Sequence, residues 1–175
     1  LFDEDDDKNF ETFSLLWLDS NVNLTDENIT TQEKLREIIN YLKTFTHISK
    51  CVEWIERKQA DNDKVILIVS GDYGKEIIPR IFNLPQLISI YIYCGEKVSH
   101  EEWSKNYKDK VCAVITSSDE LVVRISKDQN QREKVEEATS SSMAISASSS
   151  SSSSDTSISS SSSPINKEKS LCELN

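Results

Sequence analysis

Apolar residues in this chain fall into short unbroken runs separated by polar clusters, and the runs come in two kinds. Thr12-Phe-Ser-Leu-Leu-Trp-Leu18 is compact and closed by Asp19, Asn21 and Asn23, which predicts a buried strand rather than a helix. Behind it, Thr25-Asp-Glu-Asn28 supplies N-cap chemistry, and Leu35, Ile38, Ile39 and Leu42 recur at i, i+3, i+4 and i+7. That spacing predicts an amphipathic helix ending near Phe45. A second strand is expected over Thr44 to Ile48, then a short helical face of Cys51, Val52, Trp54 and Ile55 that runs out in Lys58, Asp61, Asn62 and Asp63.

Lys64-Val-Ile-Leu-Ile-Val-Ser70 places five apolar residues in a row, four of them β-branched, the composition of a central parallel strand covered on both faces. Gly71 and Gly74 are expected to turn it into a helix over about Lys75 to Asn83, in which Pro79 is tolerated only in the first turn or as a kink. Leu87 to Cys94 reads as a fourth strand, Glu101 to Tyr107 as a short helix, and Val111 to Ile115 as a fifth strand. Ser118 to Lys127 reads as a closing helix capped by Ser118, with Leu121, Val122 and Ile125 inward. Strand and helix alternate five times, so right-handed crossovers build a three-layer, flavodoxin-like α/β domain with a mostly parallel sheet, expected in the order 2-1-3-4-5.

Composition divides the chain into an acidic lead (residues 1–9), the α/β domain (10–130) and a serine-rich linker or tail (131–175), the first and last expected to be disordered. The 175 residues carry 20 basic and 30 acidic side chains, net −10, which argues against nucleic acid and against an anionic membrane as partners. No apolar run approaches the ~18–20 residues of a spanning helix, and the acidic start is unlike a signal peptide. The expectation is a soluble, cytoplasmic protein. The chain begins with Leu1, and a charged and apolar pattern resumes at Lys167 after the serine tract, so we expect the front part of a longer protein.

In doubly wound sheets a ligand binds outside the carboxyl ends of the strands, near the switch between the first and third. The candidates there are Asp19 and Asn21, then Ser70, Gly71, Asp72 and Gly74, then Cys94 and Glu96, and finally Thr116 and Ser117. A phosphoacceptor receiver domain has this size and strand pattern. Its chemistry needs paired acids after strand one for Mg²⁺, an Asp acceptor ending strand three, a hydroxyl after strand four and a Lys after strand five. Here Asp19 is followed by Ser20 and Asn21, Ser70 stands at the acceptor place, Cys94 at the hydroxyl place, and the fifth loop has no Lys near Thr116. One hard oxygen ligand does not order Mg²⁺, so the reading is a degenerate receiver.

Ser70-Gly-Asp-Tyr-Gly74 could instead cradle a phosphate on backbone amides, although Asp72 would repel an anion and neither Gly-rich fingerprint is complete. Cys51, Cys94, Cys112 and Cys172 lack metal-ligand spacing, and with only His47 and His100 a Cys/His nucleophile site has little support. Trp17, Trp54 and Trp103 are expected to pack in or beside the core. Glu76 and Glu96 are the acids nearest the crevice, and we read them as solvated.

Several stretches in fixed order carry a resemblance: Glu11 to Asp19, Leu42 to Phe45, Ile66 to Gly71, Ile78 to Ile81, Ser89 to Cys94 and Asp119 to Val122. Together, over about residues 11–130, they resemble the N-terminal module of a family of multidomain proteins from bdelloid rotifers. In that family the module precedes an arginine-specific mono-ADP-ribosyltransferase domain or tetratricopeptide, kinesin-light-chain-like repeats. The resemblance implies a non-catalytic interaction or regulatory module whose partner is another protein or a C-terminal effector domain. It also implies that transferase chemistry, with NAD as its cofactor, would lie beyond Asn175, so no catalytic residue, cofactor or metal is assigned within this chain. Asp72 departs from the family, which often has Arg or another residue there.

Overall fold

The computed structural model describes residues 12–58 and 63–145. The acidic lead, Asp61, Asn62, the serine run from Ser148 to Ser154 and Cys172 lie outside the described residues. Five strands run in the order β2-β1-β3-β4-β5, all neighbouring pairs parallel. They are β1 (Phe13–Leu18), β2 (Leu42–Phe45), β3 (Lys64–Ser70), β4 (Leu87–Tyr93) and β5 (Val111–Ile115). The connecting helices are α1 (Asp26–Arg36), α2 (Ile48–Arg57), α3 (Gly71–Ile81), α4 (Val98–Ser104) and, after β5, α5 (Ser118–Ile145). The expected α/β class and strand order are both observed.

Strand alternation sorts the core into two layers. Leu16, Leu18, Val65, Leu67, Val69, Ile90 and Ile92 meet the apolar faces of α2 and α3, with Trp103 and Tyr107 packed alongside. Leu15, Trp17, Ile66, Ile68 and Tyr91 face α1 and α5 through Leu35, Ile39, Leu121 and Ile125. All six residues of β1 are buried, as are Val65 to Val69 of β3. That is why these two segments are unbroken apolar runs.

Several element boundaries differ from the expectation. The helix expected to end near Phe45 stops at Arg36: the N–H groups of Ile38 and Ile39 both return to the Leu35 carbonyl, and the Tyr41 carbonyl already accepts from Leu15 N at 3.0 Å. Leu42 therefore belongs to β2, a four-residue edge strand that ends before Thr46 rather than at Ile48. The N-cap is as expected, with Thr25 Oγ1 accepting from Asn28 N at 3.2 Å.

Helix α3 starts at Gly71 instead of Lys75, directly after β3. Pro79 is consequently its ninth residue, not in the first turn. It is exposed, the N–H it lacks would have bonded the Lys75 carbonyl on the solvent side, and Phe82 N still returns to Ile78 O at 2.9 Å. Helix α4 begins at Val98, three residues early, and a 3-10 turn over Lys105–Tyr107 completes the expected span.

Helix α5 shows the largest difference: it extends from Ser118 to Ile145, far past Lys127 and across the expected start of the serine-rich segment at 131. Its cap is Ser117, whose Oγ accepts from Glu120 N at 3.5 Å, rather than Ser118. Among the described residues no helix is long and apolar enough to cross a membrane.

Candidate functional site

The candidate residues lie at the end of β3, in the loops after β1, β4 and β5 or in the first turn of α3. Register aligns Leu18 with Val69 and Ser70 with Tyr93, so the loops after β1, β3 and β4 meet at one end of the sheet. Alternation nevertheless divides the set between the two faces. Asp19 and Ser70 follow residues whose side chains face α2 and α3, so they turn toward α1 and α5. Cys94 packs with the opposite layer.

On the α1/α5 side the centre is Tyr93, which the sequence reading did not single out. Its ring meets Trp17 edge-on at 5.9 Å between centroids, and its hydroxyl donates to Glu27 Oε1 at 3.0 Å. Burial, then the hydrogen bond and charge of Glu27, push its phenol up to about 12 against an opposing hydrogen bond with Ser118, the charge of Asp19 adding least. Asp19 itself is engaged locally: its Oδ1 accepts from Asn21 N at 2.6 Å, a turn-forming use of the carboxylate. Two carboxylates and a protonated phenol make this side acidic. Among the described residues no group of three or more His, Cys, Asp or Glu side chains is placed to hold a metal ion.

On the α4 side the glycines have a different use from the one the strand-to-helix turn suggested. A Cβ at Gly71 would lie 2.3 Å from His100 Cε1 and 2.4 Å from its Nε2, so the imidazole sits directly on the start of α3. His100 is 8% exposed, and its Nδ1 accepts from Trp103 Nε1 at 3.2 Å. That bond assigns the ring proton to Nε2 in the neutral form. A Cβ at Gly74 would come 3.3 Å from Trp103 Cη2. Gly71 and Gly74 thus admit one helical turn of α4, and His100 and Trp103 continue through Tyr107 to Phe82 as an edge-to-face aromatic series. His100 lies in the polar stretch Ser99-His-Glu-Glu and shows no apolar periodicity; the available signal was the pair of glycines three residues apart, which marks close approach by another element.

Cys94 is a half-buried free thiol whose Sγ donates to Glu96 O at 3.2 Å, and burial raises its pKa, the opposite of what a nucleophilic thiolate needs. Glu96 caps α4: Oε1 accepts from Ser99 N at 3.2 Å, and Oε2 accepts from the Ser99 hydroxyl. These bonds lower its pKa. Asp72 is exposed in the first turn of α3, and Asn21, Thr116 and Ser117 are exposed in their loops. Cys51 is buried in α2 and desolvation pushes its thiol up to about 12, in keeping with a packing role. A separate recess of about 590 Å³ lies between α3 and α4, walled by Lys75, Pro79, Glu102, Trp103, Asn106 and Tyr107 among others.

No family model, curated protein or solved structure matches this chain.

Proposed function

We propose that this domain is a non-catalytic interaction or regulatory module built on a degenerate receiver-like α/β scaffold. The observation that carries the reading is the imidazole of His100 seated on Gly71. In this fold the amides at that helix start are where a phosphate would be cradled, and here the protein's own imidazole is packed against the first residue of that helix. Ser70 in place of an acceptor carboxylate, and an Asp19 carboxylate taken up by its own turn, support the same reading. Asp72 beside the helix start adds negative charge where an anion would need to sit.

The test is a ligand screen on the full chain by thermal shift, with acetyl phosphate and Mg²⁺, ATP, ADP-ribose and NAD. The expected result is no stabilisation by any of them. Stabilisation that disappears in Asp19→Asn or Ser70→Ala would overturn the proposal in favour of a nucleotide- or phosphate-binding domain.

The resemblance to the rotifer module extends the proposal: the chain would be the N-terminal part of a longer protein, either an NAD-dependent protein-arginine mono-ADP-ribosyltransferase or a repeat protein, with this domain docking the effector or a protein partner. Sequencing the transcript beyond Asn175 decides it. An open reading frame encoding a transferase or helical repeats is expected, and a stop codon directly after Asn175 would overturn it.

A further inference from the structure

Helix α5 is held to the sheet in two chemically different ways. Its first two turns dock through Leu121 and Ile125, both fully buried. Beyond Ile125 no described apolar side chain of the helix is buried; Val135 is 60% exposed. Contact is made instead by Asp128, Gln129 and Arg132, all at most 5% exposed. The Arg132 guanidinium donates through Nη2 to Ser89 Oγ at 2.6 Å and to Tyr91 Oη at 3.2 Å, and through Nη1 to Gln129 Oε1 at 3.5 Å. Tyr91 in turn donates to Asp128 Oδ2 at 2.7 Å, which also accepts from Arg124 Nε at 2.9 Å. One turn further on, Lys64 Nζ meets Glu136 Oε1 at 2.7 Å, at the start of β3.

Burial of apolar area is non-directional and holds a helix continuously as it shifts. A buried charged network behaves otherwise: desolvation of the ions offsets most of the attraction, and what remains depends on every bond being made at once. Such a contact opens as a unit. The 28 residues of α5 span about 42 Å at 1.5 Å per residue, against about 23 Å for the seven-residue strands it crosses. The helix therefore reaches well past the sheet, and among the described residues its buried contacts beyond Ile125 are polar.

We infer that the distal half of α5, from Asp128 onward, is a releasable strap, latched to β3 and β4 by Arg132, Asp128 and Glu136 and hinged next to the apolar anchor at Leu121 and Ile125. Release uncovers the Ser89 and Tyr91 hydroxyls of β4 and redirects the chain that continues from Ile145. It is a sub-global opening of the kind from which regulatory elements are drawn, and it stands whether or not the strand-end crevice binds a ligand.

Hydrogen exchange on the full chain, followed residue by residue, tests the strap. The amides of residues 129–137 should exchange together, with protection roughly tenfold or more below that of Val122 to Ser126, and with a step between the two groups. Arg132→Ala should lower protection of the distal group by a further roughly tenfold while leaving Ile66 to Val69 of β3 unchanged. Glu136→Gln, which leaves the buried bonds intact, should lower the same group by only a few-fold. Protection that declines smoothly back from Ile145 would be end fraying and would overturn the strap. Equal protection along the helix, or a loss in Arg132→Ala shared by β3, would overturn it as well.

Discussion

The two faces of the sheet are built from the same kind of strand and bury different polar groups: Lys58, Gln86, His100 and Ser104 singly on one, a connected network on the other. The face under α2, α3 and α4 is closed by aliphatic side chains and an aromatic series, and its tightest contact is a helix brought so near that two glycines are required. The face under α1 and α5 holds Ser89, Tyr91, Asp128 and Arg132 in its interior, joined by hydrogen bonds. Dispersion and hydrophobic burial set one face; directional hydrogen bonds set a large part of the other.

The comparison breaks first on a core substitution. Leu67 is fully buried on the aliphatic face, and Leu67→Ala should cost about 3 kcal/mol in urea unfolding, transfer and cavity effects together. Ser89→Ala on the other face removes an acceptor from Arg132 and should cost about 1.5 kcal/mol. If the two cost the same, the faces do not differ in how they are held.

Next in size is Gly71→Ala, expected at about 2 kcal/mol because its Cβ would overlap the His100 ring. The double variant with His100→Ala should cost clearly less than the sum of the two singles, since removing the ring frees the space. Additive costs would mean that Gly71 is required for some reason other than its neighbour. Gly74→Ala, whose Cβ meets the far edge of the Trp103 ring at 3.3 Å and Val69 Cγ1 at 3.5 Å, should be the milder of the two glycine changes.

Legibility in the sequence follows the same division. Lys64–Ser70 and Val111–Ile115 could be read to the residue, because each is a continuous apolar run bounded by polar residues; only the first is buried along most of its length, the second being a half-buried edge strand. The order of the sheet followed from the alternation of elements. Arg132 could not be read: polar residues surround it in Gln129-Asn-Gln-Arg-Glu-Lys134, and nothing local reveals that its guanidinium meets a serine 43 positions away. The same gap shortened α5 on paper, since a helix docked by polar groups carries no apolar stripe to follow. Leu42 misled in the opposite direction, continuing a helical spacing by coincidence while its backbone joins a strand. At the crevice the rule for parallel sheets located the loops and pointed to Cys94, but not to Tyr93 just before it on the α1/α5 face, nor to His100 on the α4 side.

The smallest effect, and the one that sharpens the comparison by chemistry rather than by packing, comes at alkaline pH. The phenols on the α1/α5 face are both held protonated: Tyr93 up to about 12 from an ordinary value near 10, and Tyr91 higher still, through burial first, with Asp128 adding to it and Arg132 opposing. A phenol whose pKa is raised by folding binds its proton more tightly folded than unfolded. Stability is therefore unaffected below about pH 10 and falls as the pH rises from about 10 toward 12. Cys51 on the opposite face has the same sign but begins near its ordinary 9.0 and extends to about 12, so the two faces separate in the order of their onset. Urea midpoints between pH 8 and 11.5 should decline in both windows, and Tyr93→Phe should remove part of the decline above pH 10 while leaving the earlier part intact. Absorbance at 295 nm should show tyrosine ionisation continuing past pH 11 in the wild type and reduced there in Tyr93→Phe. A single titration step near pH 10, unchanged by that substitution, would mean that Tyr93 stands in solvent and that the hydrogen bond to Glu27 does not hold it.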